Sequence, residues 1–212
     1  MKNYLNYRPE IDGLRALAVS SVIIFHLFPN SFFSGGFIGV DIFFVISGFI
    51  ITSIINKDLK NKKFSYKQFI DRRIRRIFPS LITLLIILFS FCWFSFLPHE
   101  LSQIGKHIFN SSFFHINFSL VKESGYFDSS SVFKPLLHLW SLSIEEQFYL
   151  SWPFALLFII KKKINIFYFT LILLVISFLI NISFFQVKPT HNFYFPFGRI
   201  WELLSGCCLS IY

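Results

Sequence analysis

The sequence predicts an all-α membrane protein, a polytopic bundle of transmembrane helices, and three observations lead to this fold class. Of the 212 residues, 54% are hydrophobic, only 15% are charged, and 32 are phenylalanine. Soluble domains carry about 25% charged residues, so water could not accommodate the apolar surface of such a chain. The apolar residues also fall in runs as long as a bilayer-spanning helix. Together these features argue against a large soluble core.

Six apolar runs are predicted to span the membrane, since each is near the ~20 residues that a helix needs to cross the hydrocarbon core. They are residues 14–31, 37–56, 78–97, 139–160, 165–185 and 197–212. A seventh run at 104–121 is rejected, because a span there would move the KKK tripeptide at 161–163 to the outer side. Segment 98–137 is therefore expected to be an outer loop, with His99, His107 and His115 as ordinary loop residues.

The charges of the loops predict the orientation. Residues 57–76 contain nine Lys or Arg against two Asp, and basic loops stay on the cytoplasmic side. The N-terminus is then cytoplasmic, and odd-numbered spans run outward. The net charge of +9 is explained by these loops, so no nucleic-acid partner is expected. The N-terminus lacks the order of segments found in a cleaved signal peptide, so the first span is expected to be retained.

No metal site or disulfide framework is expected. Cys92, Cys207 and Cys208 lie in or beside apolar runs and form neither a CxxC pair nor zinc-ligand spacing.

The first two spans contain ionisable residues that a simple membrane anchor would not need. Arg15 and His26 are eleven residues apart, which is roughly 16 Å of helical rise, and lie on nearly the same face. Asp41 lies in the second span among glycines that allow close helix approach. Ionisable groups in membrane spans face the bundle interior or a water-filled cavity. Asp41 is expected to pair with a basic group of another helix.

The fourth span begins in a second polar stretch. His138, Glu145 and Tyr149 share one helix face, while Glu146 points about 100° away. An imidazole, a carboxylate and a phenol in one row could relay protons or bind sugar hydroxyls. Alternatively, Glu145 could hold a neighbouring helix by pairing with Arg15 or Arg199. The sequence leaves both interpretations open.

Two further groups of charged residues remain. The stretch RRIRRIFPS places two pairs of arginines at i,i+3 spacing just before Pro79, which is predicted to open the third span; these are Arg72, Arg73, Arg75 and Arg76. Arginines bind phosphate bidentately, which suits a phosphate-bearing ligand. Topology and contact with anionic lipid are the alternative explanation. In the sixth span Arg199 and Glu202 are also i,i+3 and can neutralise each other.

Five blocks, in this order, resemble the acyltransferase 3 family: YRPEIDGLRALAVSSVIIFH, GGFIGVDIFFVISGFIIT, RRIRRIFPS, LLHLWSLSIEEQFYLSWP and GRIWELLSG. The resemblance covers essentially the whole chain. It implies a multi-pass O-acyltransferase of the bacterial inner membrane. Such an enzyme moves an acetyl or other acyl group from cytoplasmic acetyl-CoA to a hydroxyl of a cell-envelope carbohydrate, such as lipopolysaccharide or peptidoglycan. Acetyl-CoA is then a substrate, and no permanently bound cofactor is expected.

The resemblance also implies roles for individual residues. His26 is the catalytic histidine and Arg15 its motif partner, while Glu145 fits the family pattern better than Glu146. The arginines at 72–76 hold the donor's phosphates. The remaining candidates, for acceptor binding or structural support, are Asp41, His138, Gln147, Tyr149, Arg199 and Glu202.

The resemblance further implies a domain with more spans than this chain contains. Residues 1–212 are therefore expected to be the N-terminal part of one acyltransferase 3 transmembrane domain, apparently truncated at its C-terminus, with a downstream-encoded remainder as a candidate partner. Two alternatives stay open. One is an inactive truncated remnant or partner subunit. The other is a transporter or flippase, against which the lack of an inverted repeat counts mildly.

Overall fold

A computed structural model describes residues 8–28, 34–123 and 134–212. Within these residues the chain forms nine helices and no strand, which confirms the all-α class. The helices are α1 (Pro9–Leu27), α2 (Ile38–Lys60), α3 (Tyr66–Ser95), α4 (Pro98–Ser112), α5 (Ile116–Glu123), α6 (Leu139–Lys161), α7 (Ile166–Phe185), α8 (Pro189–Tyr194) and α9 (Pro196–Ile211).

Three of these helices, α2, α3 and α7, are long and apolar enough to cross a membrane by length and composition. The other three predicted spans correspond to helices α1, α6 and α9. That these three also cross a membrane remains a prediction. Residues 29–31 of the first predicted span lie outside the described residues.

Helix α3 extends beyond the third predicted span at its N-terminal end, while the point at which the span itself starts stays a prediction. Helix α3 begins at Tyr66, twelve residues before position 78, and Pro79 lies inside it. The Ser65 hydroxyl accepts a hydrogen bond from the backbone N–H of Gln68 at 3.5 Å and caps the helix. A run of basic residues can continue a helix although it is not apolar, and Pro79 removes only one backbone donor. The four arginines therefore lie within α3.

Segment 98–137 is helical over much of the part that the structure describes, while its position on the outer side of the membrane stays a prediction. Residues 98–123 form helices α4 and α5, joined by a tight turn in which Phe114 has a φ of 54°. His107 is buried in α4, where its Nε2 lies 2.8 Å from a carboxylate oxygen of Glu123. The interpretation of His107 as a loop residue fails because its helix packs against the bundle. Residues 124–133 lie outside the described residues.

The six helices that correspond to the predicted spans alternate in direction along the chain. Ser47 contacts Glu145 and Thr52 contacts Trp152, so α2 and α6 run parallel. Helix α9 also runs parallel to α2, whereas α1, α3 and α7 run in the opposite direction, as their side-chain contacts show. This alternation is the arrangement that six consecutive spans would require.

Glycines let α2 pack closely against its neighbours. A Cβ atom at Gly48 would overlap the carbonyl oxygen of Leu203 in α9, and a Cβ atom at Gly206 would overlap that of Val45 in α2. Gly39, in the GGFIG stretch, leaves similar room for the carbonyl of α1 at residue 18. Helix α2 therefore holds α1 on one side and α9 on another, with the helix backbones in contact.

Candidate active site

His26 lies in the last turn of α1, since the helix ends at Leu27 and not further along the predicted span. Its Nδ1 lies 2.8 Å from the carbonyl oxygen of Val22. A carbonyl can only accept, so Nδ1 carries the proton in the neutral ring and Nε2 keeps its lone pair. The His26 and His138 rings meet edge to face with their centroids 4.5 Å apart. The two imidazoles therefore join α1 to the start of α6.

Arg15 is not brought to His26. Its guanidinium carbon lies 5.0 Å from the ring centroid of Phe43 in α2, and roughly 16 Å of helical rise separates it from His26. The two motif residues therefore lie at different levels along the α1–α2 interface.

Glu145 is buried in the centre of the bundle, with 7% of its surface exposed. The hydroxyls of Ser47 and Tyr149 both donate hydrogen bonds to its Oε1 atom. Within the described residues it forms no ion pair with Arg15 or Arg199, so the sequence-based alternative of such a pair is wrong. Instead two hydroxyl donors hold it as a hydrogen-bond acceptor between α2 and α6.

The arginines of α3 divide between two faces. Arg72 lies 3.5 Å from Asp58, and Arg75 lies 2.9 Å from Asp71, in exposed ion pairs. Arg73 turns toward α6, where its guanidinium carbon lies 4.1 Å from the ring centroid of Tyr149. Arg73 is thus the link between the basic cluster and the Glu145–Tyr149 pair.

A second charged cluster joins α2 to α9. The two terminal nitrogens of Arg199 lie 2.8 Å from Asp41 and 2.8 Å from Glu202. The guanidinium also lies over the rings of Trp140 and Phe193, with its central carbon 5.4 and 5.1 Å from their centroids. The sequence-based expectations that Arg199 pairs with Glu202, and that Asp41 pairs with another helix, are confirmed.

Gln147 holds the α4–α5 turn against α6. Its side-chain amide donates to the carbonyl oxygen of Phe114 at 2.6 Å and to the Asn117 side chain at 3.0 Å. Asn117 in turn donates to the carbonyl oxygen of Tyr194 at 3.3 Å. These contacts are those of a supporting residue.

The comparisons with known proteins agree with the resemblance in the sequence. The acyltransferase 3 family model, described as an acyltransferase domain, matches residues 8–212. The chain belongs to the acyltransferase 3 family.

Several curated proteins resemble this acyltransferase 3 chain along almost its whole length. It is 40% identical, over 96% of its residues, to the peptidoglycan O-acetyltransferase OatA of Listeria monocytogenes serovar 1/2a, of which it covers 34%. It is 38% identical over 97% of its residues to the putative peptidoglycan O-acetyltransferase YrhL of Bacillus subtilis strain 168, of which it covers 33%. It is 35% identical over 96% of its residues to the O-acetyltransferase OatA of Staphylococcus aureus strain NCTC 8325, of which it covers 34%.

The chain thus spans about a third of the length of these curated relatives. No solved structure matches it significantly.

The sequence did not single out two residues of the site in this acyltransferase 3 chain. Ser47, one of the hydroxyl donors to Glu145, has no distinctive spacing in the sequence and can be identified only once α2 and α6 are known to be neighbours. Glu146 is visible in the sequence as a second carboxylate, but the family pattern assigns the functional role to Glu145. The structure nevertheless buries Glu146 equally deeply, with 7% of its surface exposed. The sequence signal that could have identified Glu146 is the same as for Glu145, namely a carboxylate within an apolar run.

Proposed function

We propose that this chain is the N-terminal part of a multi-pass O-acyltransferase of the bacterial inner membrane, with a cytoplasmic N-terminus. It moves an acetyl group from cytoplasmic acetyl-CoA to a hydroxyl of a cell-wall carbohydrate. The peptidoglycan named for two of the relatives supports that acceptor class. The alternating helix directions support the six-span topology.

One observation carries the proposal: the Nδ1 atom of His26 is held by its own helix, which leaves Nε2 as the basic nitrogen of the neutral ring. Part of the ring is exposed, so an acceptor hydroxyl can reach it. An imidazole held in this tautomer is suited to take a proton from a hydroxyl. The adjacent His138 supports the ring from α6.

The donor approaches from the opposite end of α6. Its phosphates meet the arginine cluster of α3, of which Arg73 reaches the bundle. Eleven residues of α6 separate Tyr149, beneath Arg73, from His138, which is roughly 16 Å along the helix. Donor and acceptor therefore enter at different levels and meet near His26.

In this mechanism the acceptor hydroxyl gives its proton to Nε2 of His26, and its oxygen forms the new bond to the thioester carbonyl. The carbon–sulfur bond breaks, and the coenzyme A thiolate takes the proton back from His26. In an alternative order, Nε2 attacks the thioester carbonyl first, and the carbon–sulfur bond breaks to release the coenzyme A thiolate. The hydroxyl oxygen then takes the acetyl group from Nε2, and the hydroxyl proton goes to the thiolate. Glu145, held between Ser47 and Tyr149, keeps α2 and α6 aligned between the two ends.

The test is ester-linked acetate on the surface polysaccharide of bacteria that express the chain together with any downstream-encoded remainder. His26→Ala is expected to lower acetylation by roughly 10²–10⁴-fold, the range for loss of a general acid–base group. His99→Ala is the matched control, because His99 is exposed in α4. Both variants must reach wild-type levels in the membrane.

Equal acetylation by His26→Ala and the wild type would overturn the catalytic role of His26. If the wild-type chain exports a labelled glycan but transfers no acetate, a transporter is the correct assignment. If neither acetate nor transport is detected even with the remainder present, the chain is an inactive remnant.

A further inference from the structure

Glu146 carries an unexplained polar atom inside the bundle. The residue is 93% buried, and its Oε1 atom has no hydrogen-bond partner within the described residues. Its neighbour Glu145 instead accepts two hydroxyl donors. An unpaired buried carboxylate oxygen is costly, and native structures rarely keep one without a reason. A ligand donor is a direct reason for this atom to be kept free.

The surroundings of Glu146 restrict what such a ligand can be. Arg73 of α3 lies over the ring of Tyr149, with its guanidinium carbon 4.1 Å from the ring centroid. Because α3 runs antiparallel to α6, Arg76, which is one turn further along α3, lies at about the level of Glu146. Because Tyr149 lies three residues further along α6, Glu146 is about 4.5 Å closer than Tyr149 to the His138 end of the helix. The remaining distance to His138 is eight residues, or about 12 Å. Glu146 thus lies between the arginines and the imidazole pair.

The arginine guanidinium groups and the Glu146 carboxylate would each bind a different chemical group of one ligand. Guanidinium groups only donate hydrogen bonds, and their strongest partners are anionic oxygens such as those of phosphate. A carboxylate only accepts hydrogen bonds, so its partner is an N–H or O–H donor. A ligand with phosphate at one end and amide or hydroxyl donors further along would satisfy both kinds of group. Among the described residues, Arg72 and Arg75 form ion pairs with Asp58 and Asp71, whereas no ion pair is found for Arg73 or Arg76, which makes these two the candidates for the phosphate.

We propose that Glu146 binds the pantetheine arm of the acyl-CoA donor by accepting a hydrogen bond from one of its amide or hydroxyl groups, while Arg73 and Arg76 bind the phosphates. This inference rests on the proposed function, because it assigns the site to the donor of that reaction. It makes Glu146 a donor-binding residue and gives Glu145 the separate task of joining α2 to α6. A phosphoethanolamine lipid headgroup also combines phosphate with N–H donors, so the test must separate the two sources.

The test measures binding to the full chain in nanodiscs of phosphatidylglycerol by calorimetry. Coenzyme A contains both the phosphates and the arm, whereas adenosine 3′,5′-bisphosphate has phosphates but no arm. Glu146→Ala is expected to weaken coenzyme A binding about 10-fold or more, as for loss of a charge-assisted hydrogen bond. It should leave binding of the bisphosphate unchanged. Arg73→Ala should weaken the binding of both ligands.

Two further variants control for folding and charge. Glu146→Gln keeps the side-chain shape and one acceptor oxygen, so coenzyme A affinity should fall by an intermediate factor. Glu10→Gln removes an exposed carboxylate of α1 and should leave both affinities unchanged. Each variant is compared with the wild type by circular dichroism and gel filtration before titration.

The outcomes separate this inference from the proposed function. If the wild type does not bind coenzyme A at all, the proposed function fails together with the inference. If the wild type binds and both Glu146 variants bind equally well, only the role of Glu146 is overturned. An equal loss of both ligands in Glu146→Ala would also overturn it, because the residue would then only position the arginines. If nanodiscs of phosphatidylethanolamine abolish the difference between wild type and Glu146→Ala, the site binds lipid headgroups.

Discussion

Replacing Arg199 by methionine tests whether the charged cluster between α2 and α9 supports the fold. Methionine keeps an unbranched side chain but removes the charge that holds Asp41 and Glu202. The two carboxylates would stay close together, because α2 and α9, which carry them, are packed with their backbones in contact. Their repulsion and lost solvation then oppose folding.

The size of the effect follows from the burial of each partner. The side chain of Glu202 is 1% exposed and that of Arg199 is 14% exposed, while that of Asp41 is 32% exposed. Breaking a buried ion pair costs about 3–5 kcal/mol, because one charge stays without a partner. Water reaches Asp41, so its share is small, and we expect a loss of about 3 kcal/mol that comes mainly from Glu202. Contacts of the guanidinium with Trp140 and Phe193 add roughly 0.5–1 kcal/mol each.

The assay is equilibrium unfolding of the purified chain in mixed micelles of dodecyl maltoside and sodium dodecyl sulfate, followed by tryptophan fluorescence. Adding Glu202→Gln to Arg199→Met should recover more than half of the lost free energy of unfolding, because no buried charge is then left unpaired. Arg75→Met is the control, since its ion pair with Asp71 is exposed and such pairs contribute about 0–1 kcal/mol. The reasoning is refuted if Arg199→Met costs no more than the control, or if the double variant is no more stable than Arg199→Met alone.

Two smaller predictions use the same assay. Gly48→Ala should lower the free energy of unfolding by about 1–3 kcal/mol, because its Cβ atom would overlap the backbone of α9 at Leu203. The control is Gly105→Ala, which should leave the free energy of unfolding unchanged because its Cβ atom would meet nothing within 4 Å. Equal losses in the two variants would contradict the close packing of α2 on α9. Asn165→Ala should lower the free energy of unfolding by about 0.5–2 kcal/mol. The reason is that the Asn165 side chain accepts hydrogen bonds from two backbone amides in the first turn of α7, at 2.9 and 3.3 Å. An unchanged unfolding midpoint would show that this cap contributes nothing.

Local patterns in the sequence predict those parts of the molecule that depend on neighbouring residues. The start of α6 at Leu139 and the limits of α7 agree with the predicted spans to within one residue, because apolar runs end abruptly at polar residues there. The pairing of Arg199 with Glu202 follows from i,i+3 spacing alone. Asp41 was also expected to have a basic partner, although the sequence could not name it.

Hydrophobicity fails as a guide where a helix is polar on one side. The basic residues before Pro79 are helical although they are not apolar, so α3 is longer than its predicted span. Helix α4 carries a buried histidine, His107, because Glu123 lies across the turn from it and satisfies the ring. Neither feature is visible in a sliding average of apolar residues, because the first depends on a helix cap at Ser65 and the second on a partner that the fold supplies.

Contacts between distant segments lie beyond any spacing rule. The pairs Ser47–Glu145 and His26–His138 join helices that are about 100 residues apart in sequence, and they form because α2, α6 and α1 are neighbours. Spacing placed His138 and Glu145 on one face of α6, as one candidate relay. The structure gives them different partners instead, so the expected row of interacting groups is only partly formed, between Glu145 and Tyr149.

Helix α6 contributes most to the candidate site, and its composition differs from that of α2, α3 and α7. It has 23 residues, yet it is not among the helices apolar enough to cross a membrane by composition. It packs against α2, α5, α7 and α9, and its two glutamates are buried. A helix enclosed by other helices can carry ionisable groups that lipid would exclude. This enclosure therefore allows α6 to carry Glu146 between the level of the arginines and that of His138.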